Sequence, residues 1–439
     1  CNHMRAHQLL AIRRASTATS SFRRSPAAAF ANDFAHHEVG IARLNHGSFG
    51  SAPKQVLDAE AAHRAHWRSN PDAAYFGTGS ESLDARLAAA ADAAAATMAA
   101  PPGSVALVEN ATVATAIVAN RWAKAMRHQP CRGGVLLLDA CYKAVAYSVR
   151  DFCEPAGGQI SFASVPFPGT TEENILSSLD EALRKTKPRF ALLDHVTSQP
   201  AIVLPIRAMV ALCRQHGVEE IAIDGAHSVG LLPPELVDVP GIAADFYYSN
   251  LHKWAFAPST VTALFATPSA MESTAHVVPS WHAGGGLLRE SRWPGTRDFA
   301  PFLSVPTALA YLETWRSIDG LDAAQYNAHG WQVAAALLSE AWGVGPAVAE
   351  PALACSGMGM VRLPPSLDLS ADAPGQPSTG VRAQLRQRYG IEAAVGGFGD
   401  AGGFLRLSHS VYTTDEDISR LRDAIAELAA MGSTSTGCA

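Results

Sequence analysis

The chain has 439 residues, is 48% hydrophobic and carries a formal net charge of -6, which is length and apolar content enough for one large core and a smaller one. No basic run is dense enough to follow a nucleic-acid backbone, and no apolar run reaches the roughly 18 residues of a membrane-spanning helix, so neither nucleic acid nor a membrane is an expected partner. The seven cysteines are odd in number and form no CxxC pair, which argues against a disulfide framework or a metal site and for a reducing compartment.

Residues 1–35 differ in kind from the rest: Arg5, Arg13, Arg14, Arg23 and Arg24 stand among Ala, Ser and Thr, with no acid before Asp33. That composition predicts a transit peptide, mitochondrial or plastid, or else a disordered extension on a cytoplasmic protein. Helices are expected over 56–68, 81–98 and 111–126. Short apolar runs at 134–139, 189–194, 220–224 and 245–249, bounded by turn residues, read as buried strands. Helical segments at 172–185 and 206–216 lie between them. Strands alternating with helices predict an α/β fold, a mostly parallel sheet with helices on both faces. A further apolar segment at 260–266 precedes a Gly-rich, aromatic stretch at 281–302. A helix over 305–315 is expected to bridge to a smaller C-terminal unit, where 357–363, 381–389, 404–409 and 414–430 read as strand, helix, strand, helix. The division this implies is 36–304 for a large cofactor-binding domain, with 36–80 contributing to its site, and 305–439 for the bridging helix and a small α+β domain.

Two residues stand out chemically. Asp224 follows the apolar run Ile221-Ala222-Ile223 and should sit at the carboxyl end of a parallel strand, where α/β sheets bind ligands. A buried carboxylate there is costly without a cationic partner. Lys253 follows another apolar run and is flanked by His252 and Trp254. Desolvation at a strand end would lower its pKa and make it an imine-forming amine. An Asp and a Lys each behind its own strand match pyridoxal phosphate: the carboxylate holds the protonated ring nitrogen and the amine forms the Schiff base.

Asp224-Gly225-Ala226-His227 followed by Ser249-Asn250-Leu251-His252-Lys253-Trp254 resembles the class V aminotransferase family of fold-type I pyridoxal-phosphate enzymes. Leu44 to Gly50, Asp194 to Ser198, Gly295 to Asp298 and Arg406 to His409 extend the likeness over nearly all the chain beyond residue 35. It is similar to the isopenicillin N epimerase-like branch and, within it, to plant-type L-cysteine desulfhydrases. The resemblance implies a phosphate-binding turn at Asn110, Ala111 and Thr112, where free N–H groups at a helix N-terminus suit a dianion. It further implies phosphate contacts from Ser249 and His252, and one from Thr296 that relatives take from the neighbouring subunit, hence a homodimer with shared active sites. By the same likeness Tyr142 covers the cofactor ring, His227 and Thr197 bond its phenolic oxygen, and Arg406 grips a substrate carboxylate with its planar fork. Asn45 and His46 lie in a segment that closes over substrate in relatives, and Tyr75 is expected in the same pocket.

The reaction then expected is loss of a β-substituent from a small amino acid, with L-cysteine favoured and hydrogen sulfide, pyruvate and ammonia as products. Residues 390–405 hold no cysteine, so persulfide transfer as in cysteine desulfurases is less expected, and Cys355 is read as a packing residue. Epimerisation, with His46 or Tyr75 as proton donor, is the runner-up. A cofactor-free binding or structural protein is the alternative of another class, disfavoured because Lys253 and Asp224 are both present.

Overall fold

The apolar runs become the strands of one large sheet. The computed structural model describes residues 30–129, 133–315, 322–348, 350–354, 356–372 and 380–435. The stretch before residue 30 and Cys355 lie outside the described residues. A short strand β1 (Ala42–Arg43) precedes β2 (Val105–Val108), β3 (Val135–Leu138), β4 (Ile160–Ala163), β5 (Phe190–Asp194), β6 (Glu220–Asp224), β7 (Phe246–Asn250) and β8 (Thr262–Ala266). Strands β2 to β8 form a seven-stranded sheet in the order β2-β8-β7-β6-β5-β3-β4. Only β8 among them runs against its neighbours, and the β3, β4, β5, β6 and β7 pairings are parallel. The carboxyl ends of β3, β5, β6 and β7 therefore open on one edge, the position at which a doubly covered parallel sheet binds ligands.

Side chains alternate across this sheet, as strand geometry demands. Leu136, Leu138, Ala191, Leu193, Ile221, Ile223 and Tyr247 enter one core, with residues of the helices Leu83–Thr97, Glu172–Thr186, Ile206–Gln215 and Val305–Thr314. Val135, Leu137, Phe190, Leu192, Ala222, Phe246 and Tyr248 enter a second, with the helices Ala111–His128 and Lys143–Cys153. Both faces are thus covered, which is why these strands read as continuous apolar runs. Local signals set the helix ends. Thr171 and Asn174 form a reciprocal capping box at the start of Glu172–Thr186. Gly390, at φ 63°, closes the helix Val381–Tyr389 in a left-handed conformation suited to glycine.

The C-terminal part builds a three-stranded antiparallel sheet from β9 (Met358–Arg362), β11 (Ala394–Gly397) and β12 (Gly403–Ser408), in the order β11-β12-β9. The helix expected at 305–315 forms as Val305–Thr314, but Val305, Ala308 and Leu309 are buried in the core of the large sheet rather than in a bridge. A longer helix, Ala323–Trp342, not expected from the sequence, supplies Trp331, Ala334 and Leu338 to the C-terminal core. The N-terminal segment belongs to that core too. β1 pairs in parallel with β10 (Ile391–Glu392), and Ala42 and Leu44 are buried with its residues. No helix among the described residues is long and apolar enough to cross a membrane.

Candidate active site

Three strand ends supply the centre of the site. Asp194 and Asp224 close β5 and β6 as register partners, and Asp224 lies opposite Tyr248 of β7. Asp224 is buried and its Oδ1 accepts from the Ala226 N–H at 2.8 Å. Burial pushes its carboxyl up to about 6, against the Ala226 N–H, the Lys253 charge and Tyr248, which favour the carboxylate. Asp194 is pushed well up, first by burial and then by the Asp224 charge beside it, and its Oδ2 has no partner among the described residues. Two carboxyls in one dry place do not both ionise, so the pair presents one negative charge.

Lys253 lies in the four-residue helix Leu251–Trp254 that follows β7. Its Nζ is 3.1 Å from His227 Nε2. Loss of water lowers its pKa to about 7, with Asp224 opposing and Arg406 assisting the shift. The amine is thus substantially neutral at physiological pH. His227 is buried, held neutral by burial and by the nearby Lys253 and Arg406 charges, and its Nδ1 has no partner among the described residues.

Arg406, from β12, is a buried cation. Its Nη2 donates to Asn45 Oδ1 at 2.8 Å and to Ser48 Oγ at 2.5 Å, and its Nη1 donates to Ser198 Oγ at 2.9 Å and the Ser198 carbonyl at 3.1 Å. All four acceptors are neutral, and Nε has no partner among the described residues. Burial lowers its pKa only to about 10, so the charge persists. A buried guanidinium with no acid bonded to it among the described residues is costly and is suited to an anionic ligand.

The phosphate turn is built more narrowly than the sequence suggests. Asn110 Oδ1 caps the Val113 N–H at 3.0 Å. The Ala111 N–H, an expected phosphate donor, instead donates to Asn250 Oδ1 at 2.9 Å, and Asn250 also accepts from the Thr262 hydroxyl. The exposed Thr112 retains its N–H and hydroxyl for a ligand, since the first turn of a helix has no internal acceptor for that N–H. Ser249 is buried and accepts from the Val229 N–H at 3.1 Å, and His252 Nδ1 lies 3.0 Å from the Val261 carbonyl. Tyr142, after β3, keeps its ring 57% exposed, the state expected of an aromatic that covers a planar ligand.

Several other positions sit otherwise than expected. The Thr197 hydroxyl is spent inside its own loop, donating to the Pro200 carbonyl at 2.5 Å and accepting from the Ile202 N–H at 3.2 Å; it shapes the turn that presents Ser198. His46 uses both ring nitrogens on protein groups, Nε2 on the Lys253 carbonyl and Nδ1 on the Tyr412 hydroxyl, each at 2.7 Å. A proton donor to substrate would need one of them free. Tyr75 and Thr296 line a different cavity, of about 1160 Å³, together with Trp281 and Trp293; none of the Lys253 cluster borders it. Ser48, Ser198 and Asn250 were missed as site residues. Their signal lies in contacts between segments 139 to 358 residues apart, which no local pattern reveals.

A buried single-charge carboxyl pair, a near-neutral lysine, an unpartnered histidine nitrogen, a free helix-end N–H and an exposed ring fit pyridoxal phosphate. Comparison with known proteins agrees in kind. The family model described as Aminotransferase class-V matches residues 49–308. The chain is 34% identical to an L-cysteine desulfhydrase of Arabidopsis thaliana over 90% of each chain. It is 36% identical to putative L-cysteine desulfhydrase 1 of Oryza sativa subsp. japonica, over 92% of this chain and 86% of that one. Its fold matches the apo structure of a cysteine desulfurase from Thermococcus onnurineus with a TM-score of 0.71 at 15% identity, covering 94% of this chain and all of that one.

Proposed function

The chain belongs to the class-V aminotransferase family, and on that premise we propose that it is a pyridoxal-phosphate-dependent C–S lyase acting on L-cysteine. Its products are hydrogen sulfide, pyruvate and ammonia. When bound, pyridoxal phosphate supplies an aldehyde that exchanges amines and a ring that stabilises a carbanion. The chain supplies the rest. Arg406 holds the substrate carboxylate, so the α-carbon is fixed relative to Lys253. Lys253 is the attachment amine, and its Nζ, near-neutral in this pocket, takes the α-proton. Asp224, with Asp194 beside it, would supply the carboxylate that holds the protonated ring nitrogen. Asn110, Thr112, Ser249 and His252 would hold the phosphate, Tyr142 would cover the ring, and His227, whose Nε2 lies 3.1 Å from Lys253 Nζ, would stand beside the phenolic oxygen.

One observation carries the reading: a deprotonatable lysine and an acid-free guanidinium share a pocket that lacks a reactive thiol among the described residues. Burial pushes Cys141 up strongly, aided by Asp194 and Asp224, and holds Cys153 and Cys213 at about 12. Such thiols are not nucleophiles at neutral pH. Sulfur leaves as sulfide rather than as a protein persulfide. The test incubates the purified protein with pyridoxal phosphate and L-cysteine and measures sulfide, pyruvate and alanine together. Equal sulfide and pyruvate are expected; sulfur release with alanine would establish desulfurase chemistry instead.

A homodimer completes the proposal. Thr296 lies apart from the Lys253 cluster of its own chain, in a cavity edged by Phe76 and Trp281, which are 72% and 91% exposed. A partner subunit would cover these rings and bring Thr296 to the other site. Organellar targeting, mitochondrial or plastid, is supported by the basic composition of residues 1–35, which hold no acid before Asp33.

A further inference from the structure

The turn that binds Arg406 also reaches the lysine. The helix Leu251–Trp254 is too short to satisfy its own last carbonyls. The chain leaves it through Phe256, a buried residue at φ 61° in the left-handed region, a conformation that persists only when its surroundings enforce it. At this point the Lys253 carbonyl accepts from His46 Nε2 at 2.7 Å, and the His46 ring packs on Trp254 at 4.6 Å. His46 Nδ1 takes the Tyr412 hydroxyl at 2.7 Å. One tautomer serves both bonds: Tyr412 donates to Nδ1, and Nε2–H donates to the carbonyl. Burial lowers the His46 pKa to about 3 and so keeps Nδ1 an acceptor.

The neighbours of His46 extend the tie. Asn45 and Ser48 hold Arg406, and the Gly47 N–H donates to Ser408 Oγ at 3.2 Å. Gly50, at φ 70°, lies so close to the lysine helix that a Cβ there would fall 1.8 Å from the His252 carbonyl oxygen. Residues 45–50 are thus wedged between the two cations.

We infer that His46 is a positioning residue for Lys253: it fixes the peptide that carries the amine and, through the 45–48 turn, registers that amine against the carboxylate site at Arg406. The inference rests on the reading of Lys253 as the attachment lysine. It replaces the direct substrate contact expected of His46 from the sequence.

The full-length protein, freed of cofactor, is mixed with pyridoxal phosphate. The rate of covalent capture at Lys253 is followed by absorbance and by mass spectrometry after borohydride reduction. Steady-state kinetics with L-cysteine are measured on the same variants. His46→Ala should slow capture and lower kcat by about 10- to 100-fold while KM stays within about threefold, because the amine is displaced and the carboxylate site is not. His46→Gln, whose amide can donate to the carbonyl and accept from Tyr412, should recover most of the loss. Tyr412→Phe should cost less alone and nothing further in the His46→Ala background. If His46→Ala does not fold, the Gln and Phe variants carry the same test. A Gln variant as impaired as Ala, or a raised KM with kcat intact, would overturn the inference. Covalent capture that survives Lys253→Ala would instead sink the underlying reading of the site, a distinguishable failure.

Discussion

The Lys253 end of the site and the Arg406 end are both basic groups drawn out of water, Lys253 half-buried and Arg406 buried, and they are built in opposite ways. Lys253 has one neutral nitrogen within hydrogen-bond reach and a carboxyl pair nearby. Its charge is poorly solvated, and burial converts it towards a free base. Arg406 has four neutral oxygens around its two terminal nitrogens. These replace water, the delocalised charge survives, and the group remains a cation for a carboxylate. Loss of water thus yields a base at one end and an anion grip at the other. The difference lies in how many acceptors each cation keeps and how readily each gives up a proton.

The comparison can be broken hardest at the base. Lys253→Ala should abolish sulfide release, by more than about a thousandfold, and remove the borohydride-reducible attachment of cofactor, while Arg406→Lys should leave that attachment intact. If both variants lost it equally, the two ends would not be separate functions. At the grip, Arg406→Lys keeps the charge and loses the fork. A drop of about 100-fold in kcat/KM is expected for L-cysteine. Cysteamine, which has no carboxylate, should be used by the wild type and the variant at similar rates.

pH sharpens the contrast. Covalent capture of pyridoxal phosphate needs a neutral Lys253 amine. Its pKa is lowered from 10.5 to about 7, so the capture rate should rise with pH and level off just above 7. Below that it should fall about tenfold per pH unit. A rate still climbing at pH 10 would show an ordinary, solvated lysine. Arg406 contributes no step near pH 7, because its pKa, lowered to about 10, keeps it charged there.

The two ends also differ in how far they could be read from the sequence. Asp224 and Lys253 each follow a buried strand within a few residues, so strand pattern and residue type together locate them. The large sheet was legible for the same reason except at its two edges: β2 is a buried apolar run of only four residues that was not read as a strand, and β4 exposes Phe162 and lacks a continuous apolar run. Arg406 was visible only through resemblance, and its partners Ser48 and Ser198 were not visible at all. Ala111, Thr197 and His46 show the other limit. Their chemistry fits the assigned roles, but Asn250, the Pro200 carbonyl and the Lys253 carbonyl reach them first. Which neighbour claims a hydrogen bond is decided by the tertiary fold.

The smallest expected effect probes whether the grip is a cradle of redundant acceptors. Ser198 offers Arg406 two oxygens, the hydroxyl at 2.9 Å and the carbonyl at 3.1 Å. Ser198→Ala removes only the first. The guanidinium keeps the carbonyl, Asn45 and Ser48, so it should stay in place and charged. One hydrogen bond to a charged group is worth about 1.5–3 kcal/mol when nothing replaces it, and the remaining carbonyl on the same Nη1 should recover part of that. KM for L-cysteine should therefore rise about two- to tenfold, with kcat nearly unchanged. A fall in kcat as large as that of Arg406→Lys would place Ser198 at the reacting atoms. No change in KM at all would mean that the hydroxyl is incidental and the carbonyl alone orients the fork.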